Sequence, residues 1–154
     1  MSNVFLRPVN WSDVDFLYEW ANDKLVRNNS FSTAIIPYDE HKRWFENCMA
    51  DRNTIMYMLC NNELKIGQIR LNCEEDTAKV NYSVSKEYRG LGYGKIMIHY
   101  MEKKILLDRP DIKFIIAFVK SENEASKKVF EESGYTGTYD NNKQQYFYLK
   151  KLTR

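Results

Sequence analysis

Residues 88–95, YRGLGYGK, place three glycines at alternate positions and flank them with two cations, Arg89 and Lys95. The stretch follows a β-rich run, AKVNYSVS, and precedes a periodic run, YGKIMIHYMEKKILL, so it joins a predicted strand to a predicted helix. First-turn N–H groups of a helix lack intrahelical partners, and a loop without Cβ atoms lets several of them converge on one anion. A tight turn alone accounts for fewer glycines. The stretch therefore predicts a phosphate-binding loop.

Two common phosphate-binding motifs do not fit this loop. The dinucleotide-binding GxGxxG motif requires its last glycine where Lys95 stands. A Walker A loop requires glycine at position 89 and Ser or Thr at position 96, where the chain has Arg89 and Ile96. The pattern that fits is Arg-x-x-Gly-x-Gly, formed by Arg89, Gly92 and Gly94.

Length and composition indicate one ordinary globular domain. The chain has 154 residues, of which 44% are hydrophobic, and no repeat or Pro/Gly-rich linker divides it, so residues 1–154 are predicted to form a single domain. The 23 basic and 21 acidic residues nearly cancel, which argues against a broad nucleic-acid or membrane surface. No apolar run approaches the roughly 20 residues that span a bilayer.

The cysteines and the N-terminus predict a cytoplasmic protein. Cys48, Cys60 and Cys73 are odd in number and lack CxxC spacing, which argues against a disulfide framework and a zinc ribbon. We expect reduced, mostly buried thiols and no metal site. The first residues, MSNVFLRPVN, lack the apolar core of a signal peptide.

Hydrophobic periodicity predicts the element order β-α-α-β-β-β-α-β-α-β-β. Helices are predicted over 10–23, 38–51, 93–107 and 122–134, with Ser12 as the first N-cap and Gly134 as the last C-cap. Residues 25–37 are predicted to be irregular. A hairpin is predicted at Asn61-Asn62-Glu63, and the run KFIIAFV is expected to form a strand buried on both faces.

In this element order, the Arg-x-x-Gly-x-Gly loop resembles the main coenzyme motif of the GCN5-related N-acetyltransferase (GNAT) family. The stretch ENEASKKVFEESGY resembles its second motif, an Asn followed by a helix that ends in Gly-aromatic. Each motif alone is weak, but the pair at this spacing is specific, and the resemblance covers almost the whole chain. It implies an α/β (α+β) fold with a mixed, mostly antiparallel sheet, splayed at the coenzyme site and flanked by about four helices.

The resemblance implies acetyl-coenzyme A as cosubstrate and assigns residues to it. The strand through Tyr82, Ser83 and Val84 would separate from KFIIAFV and pair with the pantetheine arm, and a backbone N–H near Tyr82 would face the thioester oxygen as an oxyanion donor. The residues implied for the pyrophosphate and the second motif are Arg89, Gly90, Leu91, Gly92, Tyr93, Gly94, Lys95, Asn123 and Ser126.

One position departs from the family pattern. Many members carry a tyrosine seven residues after the motif Asn, where it protonates the leaving thiolate, but this chain has Phe130. Three alternatives stay open: Ser126 as the acid, in an Asn-x-x-Ser arrangement seen in some relatives; a tyrosine of QQYFYL; or departure of the thiolate without a dedicated acid.

Residues that would bind the acceptor amine are found in the N-terminal half of the chain. The stretches WANDKLVRNNSF and HKRWF resemble those of acetyltransferases that act on nucleotide-linked amino sugars, such as those of pseudaminic acid pathways. Aromatic faces would stack on uracil or sugar, while Arg and Asn would contact phosphate and hydroxyls. The acceptor residues so implied are Trp20, Asn22, Arg27, His41 and Trp44.

Four of these acceptor residues also have a structural interpretation. Trp20 and Trp44 fit a hydrophobic core equally well, and Arg27 fits a surface cation. His41 titrates in a range useful for a general base, yet a lone helix histidine is more often structural or a substrate hydrogen bonder.

Two other functions stay open at this point. One is a protein N-terminal acetyltransferase of the ribosomal-protein type, which shares the Asn-x-x-Ser version but needs an open groove. The other is a non-catalytic acyl-coenzyme A-binding module, suggested by Phe130. Two tryptophans over the pocket favour a small-molecule amine. Neither the acceptor nor assembly as a homodimer is fixed by the sequence.

Overall fold

Seven strands form one mixed sheet in the computed structural model, which describes residues 3–154. They are β1 (Val4–Pro8), β2 (Thr54–Asn61), β3 (Leu64–Glu74), β4 (Thr77–Val84), β5 (Phe114–Lys120), β6 (Thr136–Asp140) and β7 (Gln145–Lys151). Their order across the sheet is β1-β2-β3-β4-β5-β7-β6. The pair β4–β5 is parallel and the other neighbours are antiparallel, which confirms the predicted mixed, mostly antiparallel sheet.

Five α-helices pack with this sheet: α1 (Val14–Ala21), α2 (Lys24–Asn29), α3 (Tyr38–Ala50), α4 (Tyr93–Asp108) and α5 (Glu124–Glu132). The helix α2 lies in the segment predicted to be irregular. Its six residues include no buried one, so the apolar period that marks a packed helix is missing from its sequence. A side-chain cap starts it, because Asp23 accepts the N–H of Val26 at 3.3 Å.

The first helical segment begins differently from the prediction. Asn10, not Ser12, is the N-cap of the 3-10 turn at Trp11–Asp13, since its side chain accepts the N–H of Ser12. Asp13 in turn accepts the N–H of Asn10 at 2.9 Å, which completes a capping box. At the other end of the chain, Gly134 adopts a φ of +89° directly after the C-cap Ser133, as a terminating glycine does.

The sheet carries a core on each face. One core packs against α4 and includes Leu59, Ile69 and Met97. The other packs Met56, Met58 and Cys60 of β2 against Leu17 of α1 and Phe45 of α3. Successive residues of a strand point to opposite faces, so β2 is buried on both. The helices α1 and α3 thus cover the face that carries Met56 and Met58.

The strand β5 is less buried than its apolar sequence suggested. Ile115, Ala117 and Val119 are buried, but Phe118 on the other face is 40% exposed. The reason is that α1 and α3 cover β2 rather than this part of the sheet, so one face of β5 is only partly covered.

The strands β4 and β5 separate as they run. Their parallel pairing consists of Thr77 with Phe114, Ala78 with Ile115, and Lys79 with Ile116. Beyond these pairs, β4 continues to Val84 beside β3, and β5 continues to Lys120 beside β7. The facing edges of residues 80–84 and 117–120 are therefore unpaired, which confirms the expected splay.

Candidate active site

A cavity of about 640 Å³ lies where β4 and β5 separate. Both strands line it, together with the glycine loop, the start of α5 and part of α2. Of the predicted coenzyme residues, those that line it are Tyr82, Ser83, Val84, Arg89, Gly90, Gly92, Tyr93, Gly94, Lys95, Asn123 and Ser126. Leu91 does not line it, because its side chain is 51% exposed on the outer side of the loop.

Glycine is required in the loop for two physical reasons. Gly90 and Gly92 adopt φ values of +76° and +86°, in the left-handed region that favours glycine. Gly94 is required by close packing, since a Cβ there would lie 3.2 Å from Cε2 of Tyr82 and 3.3 Å from Cγ2 of Val129. The third glycine therefore lets the start of α4 approach the ring of Tyr82.

The N-terminus of α4 is open to an anion. Its N-cap is Gly92, which has no side chain to accept the first-turn N–H groups. These groups and the positive end of the helix dipole lie beside the cavity that Gly92, Tyr93, Gly94 and Lys95 line. The structure thus gives the loop the geometry of a phosphate-binding site.

Arg89 ties the loop to the rest of the site. Its Nη2 donates to Asp23 Oδ1 at 2.6 Å and its Nε to the Val84 carbonyl at 3.1 Å. Lys120 makes a second tie, donating to the carbonyl of Asn28 at 3.0 Å. These two contacts attach both ends of α2 to the coenzyme cavity, one beside β4 and one at the end of β5.

Asn123 and Ser126 form the start of α5. The Asn123 side chain accepts the N–H of Ser126 at 3.2 Å, so the Asn-x-x-Ser spacing is an N-cap. The Ser126 hydroxyl forms a 2.9 Å hydrogen bond with the Tyr82 hydroxyl. Burial raises the pKa of Tyr82 to about 12, although the bond to Ser126 opposes the rise. Two neutral hydroxyls therefore stand together in the coenzyme cavity.

The sequence analysis assigned Tyr82 only a backbone role and did not predict a role for its side chain.

Phe130 is 2% exposed and packs among the rings of Tyr82, Tyr135 and Tyr148. Of the C-terminal tyrosines, Tyr148 is fully buried and donates its hydroxyl to Glu131 at 2.8 Å. Neither Tyr146 nor Tyr148 lines the coenzyme cavity, whereas Ser126 and Tyr82 line it and are hydrogen-bonded to each other.

A second cavity, of about 400 Å³, lies between the sheet and the N-terminal helices. Its floor is polar: Gln68 and Arg70 of β3 pair in register with Ser83 and Asn81 of β4, and Gln68 donates to the Ser83 hydroxyl at 3.1 Å. Asn81 and Ser83 also line the coenzyme cavity, as do Val26 and Ser30. The two cavities therefore meet at the unpaired end of β4.

Aromatic side chains line the second cavity from above. Trp20, His41 and Trp44 are among its lining residues, and the rings of His41 and Trp44 lie 5.4 Å apart. His41 is buried, its Nε2 lies 3.1 Å from the Val14 carbonyl, and burial lowers its pKa. The carbonyl fixes the proton on Nε2 of the neutral ring, which leaves Nδ1 as an acceptor.

Asn22 and Arg27 fix the segment that closes this cavity. The Asn22 side chain makes two hydrogen bonds to the backbone of Ile36, of 2.9 and 2.8 Å, and does not line the cavity. Arg27 lines the cavity, but its guanidinium donates to the carbonyls of Ala21, Ser32 and Ala34 and to the hydroxyl of Ser30. An acceptor phosphate would have to compete with these four bonds.

The lining residues that the sequence did not predict include one carboxylate of α3 and three polar residues of the sheet: Glu40, Gln68, Arg70 and Asn81. A signal was present, because polar residues alternate with buried apolar ones along β3 and β4. Such alternation normally marks a solvent-facing side. The helices that cover this side come from a distant part of the chain, so the local pattern did not reveal the cavity.

Residues 3–136 match the family model of the GNAT acetyltransferase domain. The chain belongs to the GNAT acetyltransferase family. Acetyl-coenzyme A is the cosubstrate of this GNAT enzyme, and the splayed strands, the glycine loop and the uncapped α4 form the candidate site for it. The unpaired edges suit the amides of a pantetheine arm, and the helix N-terminus suits a pyrophosphate. No curated protein sequence matches this one significantly.

Solved structures share this GNAT fold at low sequence identity. The spermidine N-acetyltransferase of Vibrio cholerae, in complex with CoA and spermine, has a TM-score of 0.85 at 16% identity, covering 99% of this chain and 97% of that one. A domain from Methanocaldococcus jannaschii has a TM-score of 0.84 at 18% identity, covering 97% of this chain and 98% of that one. A ribosomal L7/L12 alpha-N-protein acetyltransferase in complex with CoA has a TM-score of 0.76 at 17% identity, covering 99% of this chain and 96% of that one.

None of the helices within residues 3–154 is long and apolar enough to cross a membrane. No group of three or more His, Cys, Asp or Glu side chains is arranged to hold a metal ion in that part of the chain.

Proposed function

We propose that this GNAT enzyme acetylates a primary amine of a small molecule, a nucleotide-linked amino sugar. The observation that carries the proposal is the junction of the two cavities at Asn81 and Ser83. An amine in the second cavity can reach a thioester held along β4, and such positioning alone can lower a barrier by several kcal/mol, on the order of 7 or more in favourable cases.

A small acceptor suits the second cavity better than a protein terminus. The cavity measures about 400 Å³, within the range of roughly 300–1,000 Å³ typical of small-molecule sites. The segment 30–37 closes it, pinned by Asn22. Trp20 and Trp44 supply aromatic faces for a base or a sugar ring.

The amine must lose a proton as it attacks, and His41 is the proposed acceptor of that proton. Its lowered pKa keeps the imidazole neutral at pH 7, and its Nδ1 is the free acceptor once Nε2–H faces the Val14 carbonyl. Glu40 is the one carboxylate among the described residues that line this cavity, and it is the alternative base.

The leaving thiolate is proposed to receive its proton from Ser126. The Ser126 hydroxyl accepts or donates in the 2.9 Å bond to Tyr82, whose raised pKa keeps it protonated at neutral pH. A proton given up by Ser126 can be replaced through Tyr82. The backbone N–H groups at the unpaired edge near Tyr82 are proposed to face the thioester oxygen.

Release of free thiol from acetyl-coenzyme A, measured with a panel of amines, tests this function. The panel contains a nucleotide-linked amino sugar, the same free amino sugar, spermidine and a peptide with a free N-terminus. We expect the highest kcat/KM for the nucleotide-linked sugar. Highest activity on the peptide would favour a protein acetyltransferase, and tight coenzyme binding with no turnover of any amine would favour a binding module.

A further inference from the structure

The acceptor cavity contains a half-buried arginine with almost no partner. Arg70 lies on β3 beside Asn81 of β4 and lines the cavity. Its Nε donates to Asn72 Oδ1 at 3.2 Å, its one hydrogen bond within residues 3–154. A guanidinium has five N–H donors. Four of them therefore have no acceptor in the described part of the chain.

The other half-buried arginines of residues 3–154 are all partnered. Their acceptors are Asp13 for Arg7, Asp23 for Arg89, Asp111 for Arg109, and backbone carbonyls for Arg27. Arg70 differs from the rest because its terminal nitrogens have no acceptor within residues 3–154 and are not sealed from solvent, so they are open to a ligand in the cavity.

The guanidinium of Arg70 is held in place while it is unpaired. It lies over the indole ring of Trp44, 5.1 Å from the ring centroid, in a cation–π contact that fixes its plane. A planar fork of N–H groups fixed in this way matches a phosphate or carboxylate by two parallel hydrogen bonds. Burial lowers the pKa of Arg70, yet an arginine stays charged at neutral pH.

The charges that line the acceptor cavity favour an anion. Arg27 and Arg70 face one carboxylate, Glu40, among the described lining residues. A polyamine would bring several positive charges to two arginines, which repel it. Arg70 pairs with Asn81, which precedes Ser83 by two residues on β4, a separation of roughly 7 Å. An anion bound by Arg70 would lie about a sugar ring away from the reacting amine.

We propose that the acceptor carries an anionic group, a phosphate or a carboxylate, and that Arg70 binds it. This inference rests on the proposed function, because it concerns the same cavity and the same acceptor. It assigns the anion contact to Arg70 on the sheet instead of Arg27 on α2, whose donors hold backbone carbonyls. Arg70 is then a specificity-determining residue that separates anionic acceptors from polyamines.

Matched acceptor pairs test the proposal in the wild-type enzyme and in Arg70→Ala and Arg70→Lys. The phosphate pair is a nucleotide-linked amino sugar and the same free amino sugar; the carboxylate pair is an amino acid and its amide. Loss of charge-assisted hydrogen bonds should lower kcat/KM for the anionic member by roughly ten- to a hundred-fold in Arg70→Ala. The neutral member should change little, and Arg70→Lys should lie between, because lysine keeps the charge without the fork.

The two pairs identify the source of the anion, and two variants serve as controls. Arg43→Ala removes an exposed arginine of α3, next to Trp44, that does not line the cavity, and it should leave both ratios unchanged. Arg27→Ala should reduce kcat/KM for both members of a pair by the same factor, since its hydrogen bonds hold three backbone carbonyls and the Ser30 hydroxyl of the chain itself. Equal losses on both members in Arg70→Ala, or a preference of the wild type for spermidine, would overturn the proposal.

A binding measurement separates failure of this inference from failure of the proposed function. Protein saturated with coenzyme A, which fills the loop, is titrated with uridine diphosphate, inorganic pyrophosphate and succinate in a calorimeter. At least one anion should bind the wild type and bind Arg70→Ala ten-fold or more weakly. If no amine is acetylated but this difference is seen, the function fails and the anion site stands. Equal affinities, or no binding of any anion to the wild type, refute the site.

Discussion

The two halves of the candidate active site, the coenzyme cavity and the proposed acceptor cavity, are built in different ways. In the coenzyme half, the glycine loop, the start of α4 and the unpaired end of β4 follow one another within residues 80–95. The acceptor half takes its residues from α1, α2, α3, β3 and β4. The coenzyme half also takes residues from α2, β5 and α5, but its longest stretch is continuous and can be recognised as a motif. The acceptor half has no such stretch and depends on the contacts that bring distant elements together.

The coenzyme half should be the more sensitive of the two to a substitution at a single glycine. In Gly94→Val, the new side chain would overlap Tyr82 and Val129, which lie 3.2 and 3.3 Å from the Cβ position, and would displace the start of α4. We expect coenzyme A affinity to fall by more than about 100-fold with the fold retained, as measured by calorimetry and circular dichroism. Gly90→Ala is the control, because its Cβ meets no atom within 4 Å and only its φ is strained. Wild-type affinity in a folded Gly94→Val protein would contradict the assignment of the loop.

The acceptor half should depend on a long-range ion cluster. Asp13, fully buried, binds Arg7 and also Lys65, which is 52 residues away. Asp13→Asn should lower the free energy of unfolding by about 2–4 kcal/mol, since two cations lose their counter-charge. Denaturant titration measures this. Asp39→Asn, on the exposed first turn of α3, should change stability by less than about 0.5 kcal/mol; equal effects would show that the cluster does not hold this half.

The same cluster predicts the direction of acid sensitivity. Burial alone would raise the pKa of Asp13, but hydrogen bonds from Arg7, Lys65 and the Asn10 N–H hold it well below its usual range. A carboxylate with a lowered folded pKa stabilises the protein above its unfolded pKa, about 4. That contribution is lost as the pH falls below 4 toward the folded value. The difference in free energy of unfolding between the wild type and Asp13→Asn should therefore become smaller as the pH falls below 4.

The leaving-group step tests whether the coenzyme half is complete without the usual tyrosine. Ser126→Ala should lower kcat by roughly ten- to a hundred-fold with a small change in the KM for acetyl-coenzyme A. Adding Phe130→Tyr to Ser126→Ala should recover part of the rate, because it supplies a hydroxyl within the same cavity. An unchanged kcat in Ser126→Ala would remove Ser126 from the mechanism and leave Tyr82 as the available acid.

The smallest expected effect tests whether the halves are coupled. Asp23→Asn keeps the cap of α2 but removes the charge that Arg89 binds at 2.6 Å. Because this partly exposed pair joins the two halves, the KM values for acetyl-coenzyme A and for the acceptor should both rise by about three- to ten-fold. Lys120→Ala, which removes the hydrogen bond to the Asn28 carbonyl, should also raise both KM values, but by a smaller factor. A rise in one KM alone would show that the halves act independently.

The sequence by itself predicted the fold class and the motifs that line the coenzyme cavity. The glycine loop and the Asn-x-x-Ser cap depend on residues close in sequence, where glycine φ values, helix N-termini and caps act locally. The splay of β4 from β5 was predicted from the family resemblance. The sequence also predicted the hairpin, where Asn62 adopts a φ of +54°.

Only the tertiary structure decided which polar side chains line the second cavity. Arg70 and Gln68 have the alternation of an ordinary solvent-facing strand until α1 and α3, from a distant part of the chain, cover that face. Arg27 and Asn22 look like ligand-binding residues in the sequence, yet the backbone groups of a nearby loop take their hydrogen bonds. The partner of a hydrogen-bonding side chain is set by its neighbours in space, and those neighbours are fixed only when the distant elements pack together.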